Sequence, residues 1–470
     1  MHCTDQPPAG AVDVDHATRL EATAHVKDRK RILFVTHPEP GHILPTFKLA
    51  RILSTRGHDV RYAAVPDMEK FIEAHGFTIV PWCAHFYPKG YRHAEDGHNF
   101  LLKRRSITKR YADVARHLLT DRDMPSGLSD WKPDLMAVDL TETVAALFAI
   151  QRGFELVLLN TSLPQTRDRG VPPLRQAQKY GEGLYGRLRA TYSWESFLAF
   201  RRLSGWAAAC VGMSPPYELA RRWAIRLGFS RQDLDSNTVY MPQVRRVHEV
   251  VFCPEQLDFP RPPMKYRHYA PSIYLQRKET EFPWLWLQPV KPLIYCAFGT
   301  QRYRTRDVVK FLRRLLVTIR CREDLQWIVS LGPNVQEQDV GVAADNAIIV
   351  RDAPQLAILS KARVMITHGG LGSVKECIFF GVPMLVFPLE IDQPGNAARI
   401  AHHGLGLVGD IRRTTAQEIS TMLDRVIGDA GIQSRMDRMR ERLHELENSV
   451  LAADLMEKVT SVTAALERSG

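Results

Sequence analysis

The sequence predicts an α/β protein built from two doubly wound parallel sheets that face each other across a cleft. Short apolar, β-branched segments alternate with helical segments from Arg31 onward, and the same alternation begins again at Leu293. Between the two series lies a proline-rich stretch with little periodicity, which is typical of a linker. A chain of 470 residues is long enough for two domains, each with its own core. We therefore predict an N-terminal domain at 30–258, a linker at 259–290 and a C-terminal domain at 291–450.

Both ends of the chain are predicted to lie outside these domains. The segment 1–29 is polar and has no apolar core, so it is typical neither of a signal peptide nor of a folded element. We expect a disordered tail there. The segment 451–470 is predicted to be a C-terminal helix, and packing back on the N-terminal domain is one arrangement open to it.

In the first domain, the pattern begins with a strand at 31–36, a loop at 38–42, a helix at 44–55 and a strand at 58–65. Further strands are predicted at 77–81, 133–139, 155–160 and 250–253. Asp139 stands at the carboxyl end of one of them. From 164 to 236 the pattern gives way to proline-rich loop and aromatic, basic helices, which we expect to help form a substrate cleft.

In the second domain, strands are predicted at 293–298, 326–330, 347–350, 364–367 and 384–387. The strand at 364–367 is followed by a glycine-rich turn at 368–372 and by a helix that begins near Ser373. The first backbone N–H groups of such a helix have no partner within the helix. This turn is therefore a good site for a phosphate or diphosphate at the carboxyl edge of the sheet.

Composition limits the class of protein. Hydrophobic content of 45% and charged content of 24% are those of a soluble globular chain, and no apolar run approaches the ~18 residues of a membrane span. A net charge of +11 suits an anionic partner, but the basic residues are spread along the chain without a recognisable reading module, so we expect no nucleic-acid partner. The seven scattered cysteines include no Cys-x-x-Cys and predict reduced thiols in the cytoplasm.

Several short motifs together resemble a known family. They are Gly41-His-Ile-Leu-Pro45, Arg56-Gly-His-Asp-Val60, Asp352-Ala-Pro-Gln355, His368-Gly-Gly-Leu-Gly-Ser-Val-Lys-Glu376, Gly381-Val-Pro-Met384 and Asp392-Gln-Pro-Gly-Asn396. In order and register they resemble the inverting nucleotide-sugar glycosyltransferases of the GT-B fold, which include UDP-glycosyltransferases and bacterial macrolide and natural-product enzymes. The resemblance covers most of the chain, except the tail and the region 164–236.

This resemblance implies a catalytic pair. Glycosyl transfer needs a base for the acceptor hydroxyl, and imidazole, with an ordinary pKa of about 6.5, can take that proton at neutral pH. His42 matches the family's base, and Asp139 matches the carboxylate that orients it.

The resemblance also implies a donor site. Its predicted residues are Thr300, Gln355, His368, Gly370, Gly372, Ser373, Glu376, Asp392 and Gln393. Thr300, His368, Ser373 and the helix N–H groups would hold the diphosphate, Glu376 the ribose hydroxyls, and Asp392 with Gln393 the sugar hydroxyls. The positive potential would come from the helix terminus and His368, without a metal or other cofactor. The Asp-x-Asp pairs at Asp13/Asp15, Asp121/Asp123 and Asp233/Asp235 do not directly follow a buried strand, so we expect them to be solvated.

Two positions depart from the family pattern. Many relatives carry a tryptophan, which stacks on the nucleotide base, where this chain has Asp352. The choice between a UDP-sugar, which we favour, and a dTDP-sugar therefore stays open. Gly372 replaces an asparagine that is common in plant members, as it does in several bacterial ones. The Asp-Gln pair favours a hydroxylated hexose.

The predicted function is transfer of a hexose to a hydroxyl of a small, largely apolar natural product, with inversion to a β-glycoside. The acceptor pocket is expected mainly from 82–119 and 164–236. One alternative is a transferase in peripheral contact with a membrane, acting on a lipid or isoprenoid. Aromatic residues that lie among arginines are compatible with such a membrane contact, namely Trp194, Phe197, Phe200 and Trp206. We favour a place for them in the acceptor pocket. A non-catalytic nucleotide-sugar sensor would not require both His42 and Asp139, so their presence counts against it. A nicotinamide oxidoreductase would require Gly-x-Gly-x-x-Gly after the first strand, and the loop at 36–42 does not contain it.

Overall fold

The computed structural model describes residues 29–91, 100–121, 124–125, 127–230, 232–277, 281–300, 304–447 and 450–467. The predicted tail up to residue 28 lies outside the described residues, as do Asp13, Asp15 and Asp123. Among the described residues, no helix has both the length and the apolar character that a membrane crossing requires.

The first half of the chain forms a parallel sheet. The strands of this half are β1 (Arg31–Val35), β2 (Asp59–Ala64), β3 (Thr78–Pro81), β4 (Leu135–Asp139), β5 (Glu155–Asn160), β6 (Leu234–Asp235), β7 (Gln243–Val244), β8 (His248–Val251) and β9 (Arg267–Tyr269). The sheet order is β3-β2-β1-β4-β5-β8-β9, with all neighbours parallel, while β6 and β7 form a separate antiparallel pair. Strand β4 is buried along its whole length, as its apolar run predicts.

Helices cover both faces of this sheet. They are α1 (Pro40–Thr55), α2 (Glu69–Glu73), α3 (Phe100–Thr120), α4 (Thr143–Gln151), α5 (Gly183–Cys210) and α6 (Pro216–Arg226). The predicted loop at 38–42 is wrong in its second half, because α1 already begins at Pro40. Proline suits the first helical position, where its missing N–H removes no hydrogen bond. His42 therefore lies in the first turn of a helix, which fixes its backbone.

The second half forms a second parallel sheet. Its strands are β10 (Leu293–Ala297), β11 (Gln326–Ser330), β12 (Ala347–Val350), β13 (Ala362–Thr367), β14 (Met384–Val386) and β15 (Gly406–Val408), in the order β12-β11-β10-β13-β14-β15. Its helices are α7 (Thr305–Cys321), α8 (Glu337–Val340), α9 (Gln355–Leu359), α10 (Leu371–Phe380), α11 (Gln393–His403), α12 (Ala416–Gly428) and α13 (Ala430–Glu447). The two-sheet α/β architecture confirms the predicted fold class. The predicted turn at 368–372 is two residues too long, because α10 begins at Leu371 and already includes Gly372.

The predicted linker at 259–290 contains part of the first sheet. Strand β9 lies within it and extends the sheet in parallel beside β8, with Arg267 opposite Glu249. The guanidinium of Arg267 also pairs with the Glu249 carboxylate at 2.9 Å. A three-residue strand is too short to show a periodicity, so no sequence pattern indicates it.

The last helix, α14 (Leu451–Glu467), packs on the first half of the chain. Ala453 and Met456 are buried in the core that includes Phe34 and Phe47. At its surface, Arg56 binds Asp454 at 2.7 Å. The chain thus crosses back to the domain from which it started.

Buried polar groups join the two halves. Arg399 of α11 pairs with Asp258 at 2.6 Å, and Asp258 also binds Arg261 at 2.6 Å. Burial on its own would raise the pKa of Asp258, but the two guanidinium groups hold that pKa below its usual value. Lys375 of α10 donates to the carbonyl oxygens of Phe252 at 2.6 Å and Ser272 at 2.9 Å. These contacts fix the halves so that the carboxyl ends of both sheets face one cleft.

Candidate active site

The cleft between the sheets has a volume of about 1040 Å³. It brings together residues that are more than 300 positions apart in the sequence, since His42 and Asp392 both line it. The predicted site residues that line it are His42, Thr300, Gln355, His368, Gly370, Gly372, Ser373, Glu376, Asp392 and Gln393. Asp139 lies behind His42 and is 1% exposed.

His42 and Asp139 form a hydrogen-bonded pair. His42 Nδ1 lies 2.9 Å from Asp139 Oδ2, while Asp139 Oδ1 accepts from the N–H of Thr141 at 2.9 Å and from its hydroxyl at 2.6 Å. Burial on its own raises the pKa of Asp139, but His42 and Thr141 together hold it below its usual value. A carboxylate fixed at Nδ1 keeps that proton in place and leaves Nε2 as the atom that can accept one.

Thr161 supports the same pair and was missed by sequence reasoning. Its hydroxyl lies 2.9 Å from His42 Nδ1 and 3.4 Å from Asp139 Oδ2. The available signal was its position directly after β5, at the same edge of the sheet as Asp139.

His368 is a buried, neutral imidazole at the start of the donor motif. Burial lowers its pKa to about 4, and a hydrogen bond to the backbone of Ala297 offsets this only in part. At neutral pH the ring is therefore uncharged, and the prediction that His368 contributes positive charge is wrong. Desolvation disfavours the imidazolium, and sequence motifs do not show desolvation.

The His368 ring packs against two glycines. A Cβ built on Gly370 would lie 2.6 Å from Nε2 of that ring, and one built on Gly299 would lie 2.8 Å from its Cε1. A Cβ on Gly372 meets no atom within 4 Å. Gly370 is thus required by the position of the ring, whereas Gly372 leaves open space in the cleft.

Glu376 is held by two side chains. Arg277 donates through Nη2 to Oε1, and Gln355 donates through Nε2 to Oε2 at 2.5 Å. Arg277 lines the cleft, and its Nε is buried without a hydrogen-bond partner in the part of the chain that the structure describes. Arg277 was missed because it lies in the predicted linker, where no motif marks it.

Asp392 and Gln393 lie at the opening of α11. The Asp392 carboxylate accepts from Asn396 Nδ2 at 2.9 Å, makes no capping bond to the helix backbone, and has a pKa raised by burial. Gln393 Oε1 accepts from the N–H groups of Leu389 at 2.8 Å and Glu390 at 3.1 Å. This fixed amide oxygen leaves the amide nitrogen of Gln393 as its donor toward a ligand.

Few described residues of the predicted acceptor regions line this cleft. Of the described residues in 82–119 and 164–236, only Gln165 lines the cleft. Trp194 is buried in the core, whereas Phe200 and Trp206 are 72% and 71% exposed on α5. The wall beside His42 is formed instead by apolar and aromatic residues of other segments, namely Leu44, Pro45, Phe71, Tyr240 and Tyr274.

The chain was compared with known proteins. The family model for "UDP-glucoronosyl and UDP-glucosyl transferase" matches residues 334–445. Zeaxanthin glucosyltransferase of Pantoea ananas is 26% identical over 439 residues, which cover 90% of this chain and 95% of that protein. Both matches are to nucleotide-sugar glycosyltransferases, and the second spans most of this chain. The family assignment made from the motifs is thereby confirmed, and the protein is an enzyme of this type.

Solved structures show the same fold. The crystal structure of the kitacinnamycin glycosyltransferase has a TM-score of 0.69 at 20% identity, covering 92% of this glycosyltransferase and 99% of that chain. The structure of glycosyltransferase VinC in complex with DTDP has a TM-score of 0.62 at 19% identity, with coverage of 92% and 99%.

Proposed function

We propose that this glycosyltransferase moves a hexose from a UDP-sugar to a hydroxyl of a small, largely apolar natural product, with inversion and without a metal. The observation that carries the proposal is the His42–Asp139 pair, which faces the donor motif across one cleft. The description of the matching family model names transfer from UDP-sugars, which supports a UDP-sugar donor. The Pantoea relative is named for zeaxanthin, an apolar molecule, which supports an apolar acceptor.

In the proposed reaction, Asp139 holds the Nδ1 proton of His42 so that Nε2 takes the proton of the acceptor hydroxyl. The acceptor oxygen then forms a bond to the anomeric carbon as the bond from that carbon to the diphosphate oxygen breaks. The diphosphate leaves with the electron pair. An α-linked donor therefore gives a β-glycoside.

The departing diphosphate requires positive potential. In our proposal the N–H groups at the start of α10 and the hydroxyls of Thr300 and Ser373 supply hydrogen bonds, while the one N–H of neutral His368 donates to the backbone of Ala297. Because His368 carries no charge, the full positive charge in this proposal is that of Arg277, whose buried Nε has no hydrogen-bond partner among the described residues. The Arg277–Glu376 contact loosens when the ribose hydroxyls bind Glu376.

The donor and the stereochemistry can be tested with the purified protein. UDP-glucose and dTDP-glucose binding is measured by titration calorimetry, and transfer to a panel of hydroxylated apolar aglycones is followed by mass spectrometry. We expect tighter binding of the UDP-sugar and a large proton coupling at the anomeric centre of the product, as in β-glucosides. An α-linked product would overturn inversion, and a preference for dTDP-glucose would overturn the donor base.

A further inference from the structure

A second histidine lies beside the His42 base. His37 lies two residues after β1 and lines the cleft, and its side chain is 40% exposed. Its ring centre is 5.1 Å from that of His42, and the two ring planes are inclined at 61°. His37 is therefore within reach of an acceptor that binds at His42.

His37 has its own carboxylate. Its Nδ1 lies 2.8 Å from Glu142 Oε1. Glu142 occupies the position before α4, where its side chain makes no capping bond to the helix. The short segment 139–142 thus orients both imidazoles, since Asp139 holds His42 and Glu142 holds His37.

The two histidines differ in the role that their surroundings permit. Burial on its own would lower the pKa of His37, but the hydrogen bond and the charge of Glu142, with Glu39 and Asp139 further away, raise it to about 9. At neutral pH His37 is therefore an imidazolium. With Nδ1 bound to Glu142, its Nε2–H is left as a donor toward the cleft, and it has no lone pair with which to act as a base.

We propose that His37 binds a second oxygen of the acceptor, on the carbon next to the hydroxyl that His42 deprotonates. The inference rests on the proposed function. Two rings 5.1 Å apart, each with a hydrogen bond of about 2.8 Å, can reach two oxygens on adjacent carbons. The acceptor class is then an ortho-dihydroxy aromatic or an α-hydroxy ketone.

A further polar atom lies in the same part of the cleft. Ser162 Oγ is buried and finds no hydrogen-bond partner among the described residues, and Ser162 follows Thr161, which contacts His42. A buried hydroxyl without a partner is unfavourable until a ligand oxygen or water binds it. Its presence favours an oxygen-rich acceptor edge at this position over a purely apolar one.

The test compares two coumarins that differ by one hydroxyl. Esculetin carries a second hydroxyl next to the reacting one, and umbelliferone lacks it. We expect wild-type kcat/KM with UDP-glucose to be about 10- to 100-fold higher for esculetin, which is the range of a hydrogen bond to a charged group. His37→Phe should bring this ratio close to one, mainly through KM. Glu142→Gln keeps the shape of the side chain but removes its charge, so it should lower the pKa of His37. The preference for esculetin should then be lost at a lower pH than in the wild type.

The outcomes separate the two proposals. A wild-type ratio near one, or a His37→Phe variant that loses activity equally with both coumarins, overturns the role of His37. An unchanged ratio in both variants also overturns it. The base assignment fails instead if a His42→Ala variant transfers glucose to each coumarin as fast as the wild type does. That outcome does not depend on the ratio between the two coumarins.

Discussion

Replacing Gly370 by alanine should damage the donor site, whereas the same change two positions later should not. The new Cβ would lie 2.6 Å from Nε2 of His368, about 0.8 Å inside the 3.4 Å at which ordinary contact begins. A Cβ built on Gly299 would also lie only 2.8 Å from Cε1 of the ring, so the ring has little room to move. Overpacking of this kind costs about 1–3 kcal/mol. If donor binding needs the ring in its present place, the dissociation constant for UDP-glucose should rise by about 5- to 150-fold.

Gly372→Ala is the matched control. It adds the same methyl group two positions later, where a Cβ meets no atom of the described residues within 4 Å. It also replaces a glycine in the first turn of α10, where alanine favours the helix by up to about 1 kcal/mol. Affinity for UDP-glucose should be retained, and thermal unfolding should occur at the same or a higher temperature. The measurements are titration calorimetry and calorimetric unfolding. Equal donor affinity in the two variants would refute the reasoning from the His368 ring.

Three further changes test other parts of the enzyme. His42→Ala should retain donor affinity while turnover falls by about 10²–10⁴, and Asp139→Asn should reduce turnover in the same direction. Arg277→Ala should weaken UDP binding by about 10- to 100-fold and uridine binding far less, because the lost charge faces the diphosphate. Asp258→Asn should lower the free energy of unfolding by about 3–5 kcal/mol, because it leaves the buried Arg399 without its counter-ion. The contribution of the wild-type carboxylate is present at neutral pH and is lost as the pH falls through its lowered pKa.

Each of these three predictions would be contradicted by a specific result. Unchanged turnover of His42→Ala in steady-state kinetics would remove it as the base. If uridine and UDP weaken equally in Arg277→Ala, the arginine acts only by positioning Glu376. Denaturant unfolding of Asp324→Asn serves as the control for Asp258, because the Asp324 side chain is 60% exposed and its pairing with Arg322 should be worth at most about 1 kcal/mol. A similar loss of stability in both variants would contradict the importance of the buried network.

Local patterns predicted most of the fold. The apolar runs of β1, β4, β10 and β13 identified the two parallel sheets, because strands that are buried on both faces must be almost wholly apolar. Elements without such a run were missed or misplaced. Strand β9 is only three residues long, and the start of α1 at Pro40 depends on a helix-opening proline within a stretch that also fits a loop.

The sequence by itself determined the family and the residues that could carry the chemistry, because the donor motif is short and continuous from His368 to Glu376. Only the tertiary structure decided their protonation and their partners. Burial makes His368 neutral, and the carboxylate of Glu142 makes His37 an imidazolium. Arg277 reaches Glu376 from 99 positions away. Desolvation and charge proximity depend on distances in space, which the order of residues along the chain does not contain.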